Sequence, residues 1–501
     1  MDLELQEEPA ARRRFKKRWL GWAVLAWWAA VATWNVTKPM PPGTRVTSPV
    51  IATEASEVEF LHDLTTTTPD GAPLFEQHIF DAVFKIVDEA ESFLVADFFL
   101  LNDMMGAEAG VHRPLSRELA DRLLARKAAR PELKMLLITD PINEVYGGIR
   151  SPLLAELRAA GIDVVITDLG ALRDSNAGYS ALWRMFVQWW GNSPDGGSMP
   201  NPFAPPGSPP ITLRSWLALV NFKANHRKVI AADRADGSLT ALVTSANPHD
   251  GSSAHSNVAV RFEGPLVQHV VNSELAVARF SGWRGQIYTP AAGETAPADA
   301  VDPVQLQFLT EEAIREHLLG AIDATRNGDA VNIATFYVSD RKIVKALLRA
   351  AERGVKVRLI LDPNRDAFGR QKDGVPNRPV ANELIERSGE RIEVRWYRTH
   401  GEQFHTKLAL VTYGDRLIAS LGSANLTRRN IGNYNLEANV ALALRADSAL
   451  GVELVGYFDR LWNNDGPPGT SFTAPFGAWR DDNAGRYWRY RLMEATGLST
   501  F

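Results

Sequence analysis

The chain carries one pattern twice. A helix-period run followed by an apolar strand, EQHIFDAVFKIVDEAESFLVADFFLLND, recurs as EEAIREHLLGAIDATRNGDAVNIATFYVSD. Next, LADRLLARKAARPELKMLLITDP is matched by IVKALLRAAERGVKVRLILDP. Each is a helix leading into a strand that ends in Asp-Pro, at Asp140 and Asp362. A third pair follows, LLAELRAAGIDVVITD against ANELIERSGERIEVRWYR. Strands alternating with helices of this length predict an α/β protein with parallel-rich sheets covered by helices. A chain of 501 residues suits two or three domains.

The repeat continues into polar residues. NFKANHRKVIAADRADG places His226 and Lys228 two apart in a strand-like run, so both project from one face. Buried ionisable groups are costly unless paired or used. The second half answers with QFHTKLALVTYGDRLIASLGSANLT, where His405 and Lys407 take the same positions. A small polar cluster follows each pair: TSAN with Ser245 and Asn247, then GSAN with Ser423 and Asn425. The two lysine-to-serine spacings differ by a single residue.

The pattern H-x-K-x4-D followed by G-S-x-N, present twice, resembles the phospholipase D superfamily over roughly residues 55 to 463. The resemblance implies a bilobal fold of two α/β/α repeats with mixed sheets. It also implies one phosphodiesterase site where the two motifs meet, with no metal and no cofactor. The chemistry fits. Lys228 and Lys407 can neutralise a phosphodiester, and Ser245, Asn247, Ser423 and Asn425 can hydrogen-bond its oxygens. One histidine can attack phosphorus while the other protonates the leaving alkoxide, through a phosphohistidine.

The copies differ. Asp233 fills the family's aspartate position in the first half, and Thr412 stands there in the second. Thr244 replaces the glycine before Ser245. The family often sets a carboxylate about thirty residues after each histidine. Glu437 is so placed after His405, but Ala259 follows His226. Glu437 is therefore expected to orient and charge His405, making His405 the general acid and His226 the nucleophile. His249 and His255 are read as loop residues, and Asp140 and Asp362 as structural turn residues. There is no cysteine, which excludes disulfides, thiolate metal sites and a cysteine nucleophile.

At the N-terminus, the basic RRRFKKR precedes the uncharged WLGWAVLAWWAAVATWNV, Trp19 to Val36. This is just long enough to span a bilayer, and the basic flank predicts a cytoplasmic N-terminus. The expectation is one N-terminal transmembrane helix in a bacterial inner membrane, with the catalytic lobes extracytoplasmic. Cleavage at AVA, Ala30 to Ala32, would instead give a secreted protein. The expected divisions are 1–45 for the basic stretch, anchor and Pro-rich spacer; 46–289 for the first lobe; 290–303 for a linker; 304–463 for the second lobe; and 464–501 for a C-terminal tail. The first lobe carries an aromatic insertion over 179–216, either touching lipid or packed as a lid.

The expected function is phospholipase D-type hydrolysis, or phosphatidyl transfer as in cardiolipin synthesis. The motifs leave hydrolase and transferase open. The partners are a phospholipid and its membrane, with an alcohol as candidate acceptor. Nucleic acid is disfavoured, because the net charge is −4. The alternatives are a nuclease of the same superfamily or a non-catalytic membrane-tethered lipid-binding protein. Oligomeric state is undetermined.

Overall fold

The computed structural model describes residues 10–106, 112–205, 207–289, 303–367, 370–499 and 501. The linker expected over 290–303 lies outside them, apart from Pro303. Two mixed sheets dominate. The first has eight strands, ordered Pro73–Glu76, Val58–Thr67, Asn257–Glu263, Leu239–Thr244, Lys228–Asp233, Phe93–Phe98, Lys134–Thr139, Asp163–Ile166. The second has nine, ordered Ile51–Thr53, Val304–Thr310, Ala438–Arg445, Arg416–Gly422, Lys407–Tyr413, Ala330–Thr335, Lys356–Leu361, Ile392–Tyr397, Thr473–Pro475.

Only part of each sheet is parallel, so the parallel-rich expectation is corrected. Phe93–Phe98, Lys134–Thr139 and Asp163–Ile166 run parallel, as do their three counterparts in the second sheet. The remaining pairings are antiparallel. The physical reason is the loop length. Helical crossovers return a strand parallel, whereas the tight turns after Asp233 and Tyr413 return it antiparallel.

The strand interiors are apolar on both faces because both faces are covered. Val229 and Ala231 join the core between the sheets, with Leu408, Leu410 and Val440 from the second half. Ile230 and Ala232 point the other way, under helices Ile79–Glu89 and Leu115–Ala129. Ala409 and Val411 do the same beneath helices Arg341–Glu352 and Asn377–Ser388. Helices Leu266–Phe280 and Ala449–Asn463 contribute Val267, Val270, Leu454 and Phe458 to the shared core. The lobes are thus one body with period-2 burial.

Two short strands depart from the expected divisions. Ile51–Thr53 comes from the stretch assigned to the first lobe but pairs with the second sheet. Thr473–Pro475, from the tail, closes that sheet's other edge.

The N-terminal helix spans Ala10–Thr37. Among the described residues, no helix is long and apolar enough to cross a membrane, so the expected transmembrane span is corrected. Five tryptophans, Thr33 and Asn35 dilute the apolar character of Trp19–Val36. The helix instead packs on the insertion. Trp28 Nε1 donates to Gly178 O at 3.0 Å, and the rings of Trp27 and Phe186 meet edge-on at 6.0 Å.

Candidate active site

Each motif lysine opens a central strand, so each histidine sits just outside the strand, where the lobes meet. The meeting is reciprocal. Asn225 bridges Leu436 of the other half, and Phe404 bridges Ser256. His226 N donates to Leu436 O at 2.9 Å, and Ser256 N donates to Gln403 O at 3.1 Å. The rings of His226 and His405 are thereby held 6.4 Å apart, centroid to centroid.

Asp140 and Asp362 do more than close turns. The Asp140 carboxylate accepts Asn225 N at 2.8 Å, and Asp362 accepts Phe404 N at 2.8 Å. Each therefore fixes the backbone one residue before a motif histidine. Burial pushes both carboxyls up to about 7.

The partners of the histidines correct the sequence assignment. Glu437 contacts His226, with Nδ1 2.8 Å from Oε1 and 3.1 Å from Oε2. His405 Nδ1 instead lies 3.1 Å from Asn257 Oδ1. Asn257 is the first-half equivalent of Glu437; Ala259 is buried in the core beneath the outer helices. The serines confirm this equivalence. Ser423 Oγ donates to Glu437, and Ser245 Oγ donates to Asn257 Oδ1 at 2.9 Å. Ser245 and Ser423 therefore brace the histidine partners, although they were expected to bind phosphate directly. Asn430 also donates to Glu437. The serine spacing could not have found this partner: Glu437 lies 14 residues after Ser423, and the same count from Ser245 reaches Ala259, not Asn257.

The lysines are buried, and each folds back onto its own histidine. Lys228 Nζ donates to His226 O at 2.6 Å, and Lys407 Nζ to His405 O at 2.8 Å. Lys228 lies over Phe99 and Lys407 over Phe336, at 5.1 and 5.6 Å. Burial drives Lys228 down to about 7, against the pull of Glu437. Lys407 falls well below the usual lysine range through burial and then the charge of Lys228. Burial brings His226 down to about 4, opposed by Glu437. Burial, and then the charge of Lys407, hold His405 well below the usual histidine range. Every one of these shifts is reduced by a bound anion.

Both histidines open on a cavity of about 610 Å³, lined also by Asn247, Asn425, Phe99 and Phe336. Asn425 Oδ1 is buried without a hydrogen-bond partner, while Asn247 Oδ1 accepts Leu100 N at 3.2 Å. His249 and His255 lie, as expected, in the loop between strands Leu239–Thr244 and Asn257–Glu263, but they are buried in the cavity wall, with the His255 ring 5.7 Å from His405. Pro202 and Phe203 of the insertion reach the same cavity, as does Phe501.

Asp233 does not belong to the site. It stands at the far end of strand Lys228–Asp233, roughly 16 Å of extended chain from Lys228. Its carboxylate accepts Ser92 N at 2.9 Å, Phe93 N at 3.0 Å and Glu91 N at 3.3 Å. It caps the turn before strand Phe93–Phe98, so its expected catalytic role is withdrawn.

Two mixed-sheet lobes joined across paired His/Lys motifs define a phospholipase D-type fold and site. The chain is similar to the phospholipase D superfamily, and its second half matches one of that superfamily's families. Residues 318–462 match the family described as "Cardiolipin synthase, PLD-like domain". Cardiolipin synthase B of Escherichia coli (strain K12) is 28% identical over 242 residues, covering 44% of this chain and 52% of that protein. Its Shigella flexneri namesake matches to the same extent. The chain thus spans about half the length of the curated relatives it matches. In fold it is similar to phosphatidylserine synthase of Haemophilus influenzae Rd KW20, at a TM-score of 0.53 and 12% identity, over 93% of this chain and 98% of that one.

Proposed function

We propose that the protein is a phosphatidyltransferase of the phospholipase D type, which passes a phosphatidyl group from a phospholipid to an alcohol through a phosphohistidine. The observation that carries this is the unequal pair of histidines facing one cavity, His226 on Glu437 and His405 on Asn257. The similarity to proteins named cardiolipin synthase B favours an alcohol over water as acceptor.

His226 Nδ1–H donates to Glu437, which leaves the Nε2 lone pair free to attack phosphorus. Depression to about 4 keeps this ring neutral before attack. Glu437 then stabilises the positive charge that builds on the ring as the N–P bond forms. The leaving alkoxide takes its proton from His405 as the P–O bond breaks. The incoming anionic phosphodiester raises His405 toward protonation, and Asn257 offers no negative charge to hold that proton. In the second half-reaction the acceptor hydroxyl gives its proton to His405, its oxygen attacks phosphorus, and the P–N bond breaks. Lys228 and Lys407 swing from their carbonyls to the phosphoryl oxygens. The nucleophile is the one inferred from sequence, for the opposite reason: Glu437 orients the attacker.

Membrane placement belongs to the same proposal. Trp19, Trp22 and Trp34 of the N-terminal helix are exposed, and so are Phe186, Trp189 and Trp190 of the insertion packed beside it. Together they offer a lipid headgroup region an aromatic platform near the cavity.

The test is incubation of the full chain with phosphatidylglycerol in mixed micelles. Cardiolipin and glycerol are expected as products. Phosphatidic acid alone would make the protein a hydrolase, and cleavage of single-stranded DNA but not lipid would make it a nuclease. Trp189→Ser with Trp190→Ser is expected to weaken vesicle flotation; unchanged flotation would remove the platform from the proposal.

A further inference from the structure

Arg429 lines the active-site cavity and is 8% exposed. A buried guanidinium ordinarily sits against a carboxylate, because an unpaired buried charge is expensive. Every other strongly buried arginine here obeys that rule: Arg227 pairs with Glu274 and Glu311, and Arg315 with Asp340. Arg429 has no carboxylate in an ion pair among the described residues. Its Nη2 donates to Gly497 O at 3.1 Å, to Ser499 Oγ at 3.0 Å and to Ser499 O. Its Nε is buried with no partner. Its guanidinium lies over the Phe222 ring at 5.4 Å. Burial pulls it down to about 10, opposed in part by the charge of Glu494, which makes no ion pair with it among the described residues.

The surroundings continue the pattern. Lys223, next to Phe222, also lines the cavity, with Nζ 2.8 Å from Asp174. Asp174 is already shared with Arg184, so the local cations outnumber this carboxylate. Lys223 is three residues from His226, which puts the two within roughly 10 Å along an extended chain. Neither Arg429 nor Lys223 belongs to the His/Lys motifs, and the reaction above uses neither.

We propose that Arg429, with Lys223, forms a second phosphate subsite in the cavity, which takes the phosphate of the acceptor while the motif lysines hold the phosphate being transferred. An acceptor alcohol that carries its own phosphodiester would then be selected over a neutral alcohol such as glycerol. A planar guanidinium with an unused N–H suits a phosphate oxygen, and its present carbonyl and hydroxyl partners leave it without an ion-paired carboxylate among the described residues. The phosphate selectivity rests on the phosphatidyltransferase proposal for the name of the ligand, but the subsite itself does not.

The experiment has a binding arm and a kinetic arm, both on the full chain. In the first, glycerol 1-phosphate and inorganic phosphate are titrated calorimetrically into the Lys228→Ala, Lys407→Ala double variant, which lacks the first phosphate cradle. Binding of both is expected to persist there, and to weaken at least tenfold when Arg429→Gln is added. Arg429→Lys is expected to fall between. Loss of all phosphate binding in the folded double variant, or binding indifferent to Arg429→Gln, overturns the subsite. In the second arm, Arg429→Gln is expected to raise KM at least tenfold more for glycerol 1-phosphate than for glycerol as acceptor. An equal change for both acceptors overturns the acceptor role. A wild-type chain that makes no transfer product would defeat the phosphatidyltransferase proposal, and the binding arm would still judge the subsite. Should Arg429→Gln unfold, Arg429→Lys takes its place in both arms, with smaller changes expected in the same directions and no change overturning the subsite.

Discussion

Glu437 Oε1 lies 2.8 Å from His226 Nδ1, although the two residues come from opposite halves of the repeat. His405 looks back across the same interface to Asn257, a neutral amide. The site is symmetric in its backbone and asymmetric in charge, and the proposed division of labour between the histidines rests on that single difference.

Glu437→Gln keeps an acceptor for Nδ1–H but removes the charge that balances the forming phosphohistidine. The expected loss in kcat is on the order of 10²-fold or more, with little change in KM. Asn257→Asp acts on the other ring. A carboxylate beside His405 raises its pKa, and a general acid works only while protonated. The alkaline limb of kcat/KM should therefore move to higher pH. A pH profile that stays put would separate Asn257 from His405 chemistry.

Rapid-quench labelling distinguishes the two histidines directly. With a nitrophenyl phosphodiester, whose leaving group needs no proton, His405→Ala is expected to form a phosphohistidine at position 226. His226→Ala should form no adduct with any substrate. A trapped phosphate on His405 in the unaltered chain would reverse the roles.

Asp233→Ala strips an acceptor from the backbone N–H groups of Ser92 and Phe93. A loss of stability is expected, at about 1–3 kcal/mol for each N–H left buried and unsatisfied. Turnover per folded molecule should hold. A selective collapse of kcat with an unchanged unfolding midpoint would return Asp233 to the active site.

Lys228 is buried at a cost in stability. Its folded pKa is pushed down to about 7, below the unfolded value of 10.5. Below pH 7 the charged form is present in both states and the full penalty applies. Between pH 7 and 10.5 the unfolded chain holds more protons, so the penalty fades as pH rises. Lys228→Met should therefore abolish turnover while raising the melting temperature, more at pH 6 than at pH 9.5. A gain equal at both values would mean that Lys228 is not desolvated as its burial implies.

The sequence by itself determined the α/β class, the doubled architecture and the paired motifs His226/Lys228 and His405/Lys407. These are local patterns: helical and strand periods, and polar residues at repeated spacing inside apolar runs, survive reading one residue at a time. The tertiary structure alone decided who partners whom. Spacing along the chain placed Glu437 with His405, but each histidine is completed across the lobe interface, where sequence distance carries no information. Asp233 looked catalytic because it fills the motif's aspartate position, yet it stands at the far end of the strand that Lys228 opens, and that end serves a turn. The N-terminal apolar run suggested a span; its tryptophans gave it something to pack against, and the helix docked on the insertion. Arg429 is an ordinary arginine in the sequence. Only folding revealed that it is buried in the cavity with no carboxylate ion-paired to it among the described residues, because burial and pairing are properties of three dimensions.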